Sequence, residues 1–491
     1  MPRLLKAGYI MEEDVKAVSA ETDHHSKEIF KGGLSAFATR LIGMGLNWVF
    51  AVMLARSTGA AGTGVYNLCQ SLLNFSNSIS KLGSDTLMTR FGAQYYVKRQ
   101  MGLIKDLYNK SLLVSIPLSL FVSAIIYFFS KEIAGEIFKK PDLTPYFQIT
   151  SLALLPLTVF QISTGGIRGL KKIKEYAFLH NVSNFLFGIL ILGGILLFTS
   201  RRDLYVPVVT YTAFITLTSL LSVYWWLKYS RYLSTQVEQG INFNEKFWIG
   251  ISLFVAAFAS LVRGYADTFI LGRYASIEDV GVYRNAFKVA TVTRIALIAL
   301  LIPAAPKFAE LFSQGKMDEL RKSAQFVTKI IFWCSAPILA VVIIAAPFIM
   351  GIFGEDFIKG NMSLIILAIG QFINAATGPV NNILIMTGKQ KLNRNLMVLA
   401  TIVAVVLDLL LIPVYGAVGA ACVNTFGVLL MNMIPFFLIK RYYGFYTLDL
   451  KDLFNVKPKT FLKELRRALK PEKKKKDDDG ASVEDQVGGI E

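Results

Sequence analysis

The sequence predicts an all-α polytopic membrane protein with about twelve transmembrane helices, arranged as two pseudo-symmetric six-helix lobes around a central cavity. Three observations predict it. Of 491 residues, 54% are hydrophobic and only 18% charged, and the mean hydropathy is +0.49, which excludes an ordinary soluble enzyme or a disordered chain. Twelve stretches each supply the roughly 20 mostly apolar residues that a crossing needs. Short motifs recur at one offset, the mark of two repeated halves.

Residues 1–33 form a polar head, expected on the cytoplasmic side, with no cleavable signal peptide. The first apolar run is therefore expected to be both targeting signal and retained span. The first lobe (34–239) is read as spans 1 to 6 at 34–55, 64–83, 111–130, 146–167, 178–199 and 204–227. The second (240–440) is read as spans 7 to 12 at 247–272, 281–303, 329–353, 361–386, 395–414 and 417–439, and the lobes join in the polar stretch 234–244. Spans 2, 8 and 10 are the polar ones. The tail, 441–491, is cytoplasmic and has two open readings. Phe461, Leu462, Leu465, Ala468 and Leu469 lie on a helical face opposite Lys463, Arg466, Arg467 and Lys470, which suits a basic helix lying on anionic lipid. A solvated tail is the other reading. Cys69, Cys334 and Cys422 have neither disulfide nor zinc spacing and are expected to pack inertly.

The net charge of +18 is unusual for a chain that must avoid charge in lipid. The head holds 5 basic and 6 acidic residues and the tail 12 and 10, so 35 basic and 18 acidic residues belong to the membrane body. Most of this excess lies in alternate connections. Arg90, Lys98, Arg99, Lys105 and Lys110 form one group, Arg168, Lys171, Lys172 and Lys174 the next, and Lys389, Lys391 and Arg394 the last. The positive-inside rule then places these loops and both termini in the cytoplasm, and the expected location is the plasma membrane.

Leu54-Ala55-Arg56 with Gly64-Val65-Tyr66 recurs as Leu271-Gly272-Arg273 with Gly281-Val282-Tyr283, at an offset of 217. Gly169-Leu170-Lys171-Lys172 is echoed by Gly388-Lys389-Gln390-Lys391 at 219. Six spans on each side make the repeats parallel, and paired lobes of this kind enclose a substrate site between them.

Span 2 carries Asn67, Gln70, Asn74, Asn77 and Lys81 at spacings of three and four, with Ser71 and Ser78 beside them. Such a face cannot meet lipid, where each unpaired amide costs several kcal/mol. Adding 217 to Asn67, Ser71, Asn74 and Asn77 gives Arg284, Lys288, Thr291 and Arg294 of span 8. Related faces, one of amides and one of cations, are expected to line the cavity.

Charges at membrane depth mark ligand or ion paths by default. They are Arg40, Lys81, Arg263, Asp267, Arg284, Lys288, Arg294 and Asp408. Structural explanations stand beside the functional ones. Arg263 and Asp267, four apart, are expected to neutralise each other. Lys81 has a snorkelling alternative and Arg284 a headgroup contact near the end of its helix. Asp408 is either a capped structural acid or, with Asp267, an ion-coupling group. For Arg40, Arg284, Lys288 and Arg294 no matching set of acids exists, so the expected guest is an anion. Arg and Lys suit phosphate, and the amides and hydroxyls of span 2 suit sugar hydroxyls.

Ala55-Arg56 with Gly59 and Gly64-Val65-Tyr66, the stretch from Ala266 to Tyr283, and the late segment from Leu384 to Ala420 resemble the polysaccharide flippases of the multidrug/oligosaccharidyl-lipid/polysaccharide superfamily. These include O-antigen and teichoic acid exporters and, more distantly, lipid II flippases. The resemblance covers nearly all of 34–440. It implies a V-shaped pair of six-helix bundles and export of polyprenyl-linked sugars by alternating access. It also implies that Arg40 and Arg284 contact the lipid diphosphate, with Arg56 as a further contact or as a residue that gates or anchors its loop. The lipid II members typically carry two more spans, absent here.

The expected function is a non-enzymatic flippase that moves polyprenyl-(di)phosphate-linked oligosaccharide to the outer leaflet for surface glycan biosynthesis. Its expected partners are the glycan lipid, the bilayer and glycan-assembly enzymes, without nucleic acid. No cofactor or metal is expected, and no GxxxxGK[ST] motif supplies ATP. An H+ or Na+ gradient or the membrane potential is left to give direction. Two alternatives stand: a multidrug cation antiporter of the same superfamily, and a polytopic glycosyltransferase or polymerase, which needs acids or histidines in large outer loops.

Overall fold

Length and apolarity account for the helices. In the computed structural model the backbone is described for residues 2–199, 202–231, 243–449 and 453, with most side chains from Ala38 onward. Among these residues there is no β-strand, and eight helices are long and apolar enough to cross a membrane. A ninth crossing is the pair Pro141–Ser151 and Leu154–Gly169, bent by 44°. Two of the eight, Ala38–Lys81 (44 residues) and Gln390–Tyr443 (54 residues), are double. At 1.5 Å per residue they would run about 66 and 81 Å, more than twice the hydrocarbon thickness of about 30 Å.

Each is broken into two helices at a glycine in the left-handed region, Gly59 (φ 68°) and Gly416 (φ 56°), a conformation that costs a side chain but not glycine. With Phe243–Tyr274 as the seventh span, all twelve expected crossings are present. Residues 1–447 hold together as one unit. The basic helix expected over 461–470, the side chains of the 1–33 head and most of the 234–244 junction lie outside the described residues.

Packing separates a lipid-facing surface from two kinds of interior. Phe121, Leu197, Phe198, Ile344, Phe348 and Val414 point outward, as a hydrocarbon surround allows. The first six spans have their own core, in which Phe50 meets Phe214, and Tyr211 meets Tyr66 and Phe214, edge-on, and Tyr108 stacks on Trp226 at 4.1 Å. A second cluster joins the halves: Ala55, Val65, Leu68, Phe138 and Phe147 from the first pack with Leu271, Val282, Tyr283 and Phe357 from the second. Buried hydroxyls such as those of Ser71, Thr158 and Thr218 bond the carbonyl four residues back, so they need no water inside the membrane.

The repeated motif lies at this joint. A Cβ on Gly64 would sit 1.9 Å from the Ile277 carbonyl oxygen, and one on Gly281 would sit 2.3 Å from that of Ala60. The two glycines are 217 apart, as are Ala60 and Ile277, so each contact is the image of the other. Spans 2 and 8 cross here backbone to backbone. Around the crossing, Arg56 donates to the Ile352 and Gly351 carbonyls at 2.8 and 3.3 Å. Its repeat counterpart Arg273 donates to those of Glu136 and Ile137 at 2.6 and 2.5 Å. Lys140 of the first half donates to Gly272 and, at 2.7 Å, to Ala275 of the second. Desolvation there lowers the Lys140 pKa from its ordinary value, and the charge of Glu278 opposes the shift.

Neither glycine tolerates bulk. Gly64→Val and Gly281→Val are each expected to lower the thermal unfolding midpoint of the purified protein, as an overpacking cost of about 1–3 kcal/mol. An unchanged midpoint in both would mean that the crossing opens without loss.

Candidate functional site

Spans 1, 2, 7 and 8 bring the polar residues to the seam between the halves. Phe75 of span 2 meets Phe258 and Phe269 of span 7 with ring centroids 5.3 and 5.8 Å apart. Tyr66 of span 2 and Tyr265 of span 7 are close enough to influence each other electrostatically. Arg40 is exposed, and its charge acts on Arg294 of span 8. Arg294 in turn acts on Arg263, and Arg284 on Lys288. Five cations from three helices thus fall into two interacting sets, Arg40, Arg294 and Arg263 in one and Arg284 and Lys288 in the other.

Their surroundings differ. The Arg284 guanidinium lies 5.6 Å from the ring centroids of both Tyr265 and Phe287, which holds the charge over aromatic faces while leaving its edge donors for an oxyanion. Lys288 is half-buried, and Nε of Arg294 is buried without a hydrogen-bond partner. Span 8 is not uniform: Thr291–Arg294 form a 3₁₀ turn between Ile277–Ala290 and Ile295–Ser313. Thr291 uses its hydroxyl on the Lys288 carbonyl at 2.7 Å.

Asp267 is not the partner of Arg263. Its carboxylate accepts from the Tyr283 hydroxyl at 2.5 Å and from the Thr268 backbone N–H at 2.7 Å. Among the described residues Arg263 and Asp267 form no close salt bridge, but the Asp267 charge still acts on Arg263, while a hydroxyl from span 8 orients the carboxylate. Arg263 instead lines a recess with Asp267, Asp408 and Asn424. Asp408 is 4% exposed and its Oδ1 has no partner. The recess offers about 20 Å³ to the centre of a water-sized sphere, where about 10–15 Å³ admits one water. It suits an ion or a water, not a sugar.

The amide stripe of span 2 divides. Gln70 and Asn74 are half-buried; Gln70 bonds the Tyr66 hydroxyl at 3.3 Å and Asn74 the Gln70 carbonyl at 2.8 Å. Asn67 is buried, on the Thr63 carbonyl at 2.7 Å. Asn77 is also buried, but it accepts from Thr158 of span 4 at 2.9 Å and so faces the interior of its own half. Lys81 bridges Asp85 and Gln161 at 2.7 and 2.6 Å, so its charge is paired within the first half. Arg56 sits apart from the cationic cluster, at the crossing described above. Tyr265, Tyr283 and Arg273 were not singled out as site residues by their sequence, and Arg263 only as a charge expected to be neutralised by Asp267. For Arg273 a signal existed, since it lies 217 residues from Arg56.

A two-lobed, twelve-span protein with a polar seam is, as a class, a membrane transporter, and its family matches place it in the multidrug/oligosaccharidyl-lipid/polysaccharide superfamily. Its fold aligns with the inward-facing conformation of a multidrug resistance MATE family transporter at TM-score 0.67, with 13% identity over 84% of this chain and 98% of that one. The outward-facing MATE conformation aligns less closely, at 0.55. The lipid II flippase MurJ, inward closed, also gives 0.67, with 13% identity over 89% and 91%. The family model described as "Polysaccharide biosynthesis protein" matches residues 29–312, more than half of the chain, and the chain belongs to that family. A MatE model matches residues 252–410. The "Probable low-salt glycan biosynthesis flippase Agl15" of Haloferax volcanii is 24% identical over 406 residues, 80% of each chain.

Tyr283→Phe removes a hydroxyl donor from a buried carboxylate. It is expected to destabilise the protein by about 1.5–3 kcal/mol, the range for hydrogen bonds to charged groups, read as a drop in the thermal unfolding midpoint. Wild-type stability in this variant would show that Asp267 has another donor.

Proposed function

We propose that this protein is a flippase that carries polyprenyl-(di)phosphate-linked oligosaccharide from the cytoplasmic to the outer leaflet by alternating access, for cell-surface glycan biosynthesis. The observation that carries this reading is the sign of the seam. Arg40, Arg263, Arg284, Lys288 and Arg294 share it, while the nearby Asp267 is engaged by Tyr283 and Thr268. An anion supplies the missing charge, and a phosphate bridged to sugars matches both the guanidinium groups and the half-buried Gln70 and Asn74 of span 2. The glycan-flippase name of the relative and the likeness to a lipid II flippase support the same cargo class.

In this mechanism the headgroup enters the seam from the cytoplasmic side while the polyprenyl tail stays in the bilayer, and rocking of the halves re-exposes the headgroup outside. The substrate is moved and not chemically changed. The basic loops orient the protein, with both termini cytoplasmic, in the plasma membrane. The recess at Asp267 and Asp408 is the coupling site, taking H+ or Na+, and its size supports an ion of that kind. Glycan-assembly enzymes are the natural neighbours on the cytoplasmic side.

The MatE match over 252–410 favours a second reading, a multidrug cation antiporter, and proteoliposomes separate the two. The wild type is expected to move fluorescent polyprenyl-diphosphate sugars and not cationic dyes; movement of the dyes alone would overturn the anionic cargo. Arg284→Ala with Lys288→Ala is expected to reduce sugar-lipid transport at least a hundredfold, two lost charge-assisted contacts at about 1.5–3 kcal/mol each, without changing elution on size exclusion. Wild-type rates in that double variant would remove these residues from the site.

Asp408→Asn tests the coupling separately. The variant should retain binding of the sugar lipid but lose stimulation of transport by an imposed Na+ or pH gradient. An unaltered gradient response would place the coupling elsewhere.

A further inference from the structure

The contacts between the halves at the Gly64/Gly281 crossing form a matched set. Arg56 ends span 1 and reaches the carbonyls of Gly351 and Ile352, at the end of the helix Ala346–Gly351. Arg273 ends span 7 and reaches the carbonyls of Glu136 and Ile137, at the end of the π-helical turn Ile133–Ile137. The last carbonyls of a helix accept no intrahelical bond and carry its negative dipole end. A guanidinium, with several donors in one plane, can hold two of them at once. Each half therefore caps a helix end of the other; the two arginines are 217 apart, as the glycines are, and their acceptor carbonyls 215 apart, so the caps are near images of one another.

From this geometry we infer that Arg56 and Arg273, around the Gly64/Gly281 crossing, form a two-fold clasp that closes the outer end of the transport path and must release for the headgroup to leave. The backbone approaches at Gly64 and Gly281 cannot survive separation of spans 2 and 8, and neither can the four arginine bonds that cross with them. Arg56 is exposed, so on release water replaces the carbonyls as its partners and the bonds can be exchanged at small net cost. A fully buried ion pair would not release so readily. The closer fold match to the inward-facing than to the outward-facing MATE form agrees with a structure shut at this end. That this end is the outer one rests on the orientation proposed above; the clasp itself does not depend on the cargo.

Electron paramagnetic resonance distance measurements on the full chain in nanodiscs test it. Cys334 and Cys422, both exposed, are replaced by Ser, and the buried Cys69 is kept. Spin labels at Asp142→Cys and Glu355→Cys, exposed positions in the connections beside the clasp, report one end. Labels at Gln100→Cys and Gln314→Cys, also exposed, report the other. With Arg56→Ala and Arg273→Ala together, the first pair is expected to shift to longer distances and the second to shorter ones, with each single variant intermediate. Distributions identical to the parent at both ends would overturn the clasp.

If the double alanine variant fails to fold, Arg56→Lys with Arg273→Lys keeps the charges but not the two-pronged donors. It is then expected to shift the same distances in the same direction by less, and no shift would again overturn the proposal. Because distances are read without cargo, opening of the first end in a protein that moves no sugar lipid supports the clasp while removing the flippase reading.

Discussion

Spans 2 and 8 can cross only as closely as Gly64 and Gly281 permit, and much of the molecule is arranged around that approach. With no side chain on either glycine, one backbone meets the carbonyls of the other, and the apolar residues that follow in each motif, Val65 and Val282, are drawn into one core with Phe138, Phe147 and Phe357. Farther along the two helices that this crossing joins, span 2 carries the half-buried Gln70 and Asn74 on one face and span 8 carries Arg284 and Lys288 on another. A wider crossing would separate those two faces as well. Packing at one end and electrostatics at the middle are therefore one problem in this fold.

Charge in the seam is controlled by which acid is engaged by what. Asp267 lies four residues from Arg263 on one helix, yet a tyrosine hydroxyl from span 8 and a local N–H hold its oxygens. That arrangement keeps the carboxylate oriented without a close ion pair to the guanidinium, on which its charge still acts. In the first half the reverse applies. Lys81 is matched by Asp85 and Gln161, so the cations that remain at the seam come from span 1 and from the second half.

Much of the architecture was legible in the sequence, because apolar stretches of crossing length and a repeat offset are properties of the chain alone. The 217-residue offset even linked Arg56 with Arg273, although only the structure shows that the two reach across to opposite halves. Side-chain pairing was less legible. An i,i+4 spacing says that Arg263 and Asp267 share a face, but not that Tyr283, sixteen residues on, arrives at the carboxylate first. Likewise the stripe from Asn67 to Lys81 is wide enough for two neighbours, and periodicity could not tell that Asn77 turns to Thr158 while Asn74 stays near the seam.

The short 3₁₀ turn at Thr291–Arg294 has a geometric consequence for the cations around it. In an uninterrupted α-helix, at about 100° per residue, Arg294 would point about 80° away from Arg284. A 3₁₀ segment advances about 120° per residue, so four such residues add about 80° and bring Arg294 back into line with Arg284. The turn acts as a phase corrector. Relaxing those four residues to α geometry would rotate one cation out of the row without changing a single rotamer.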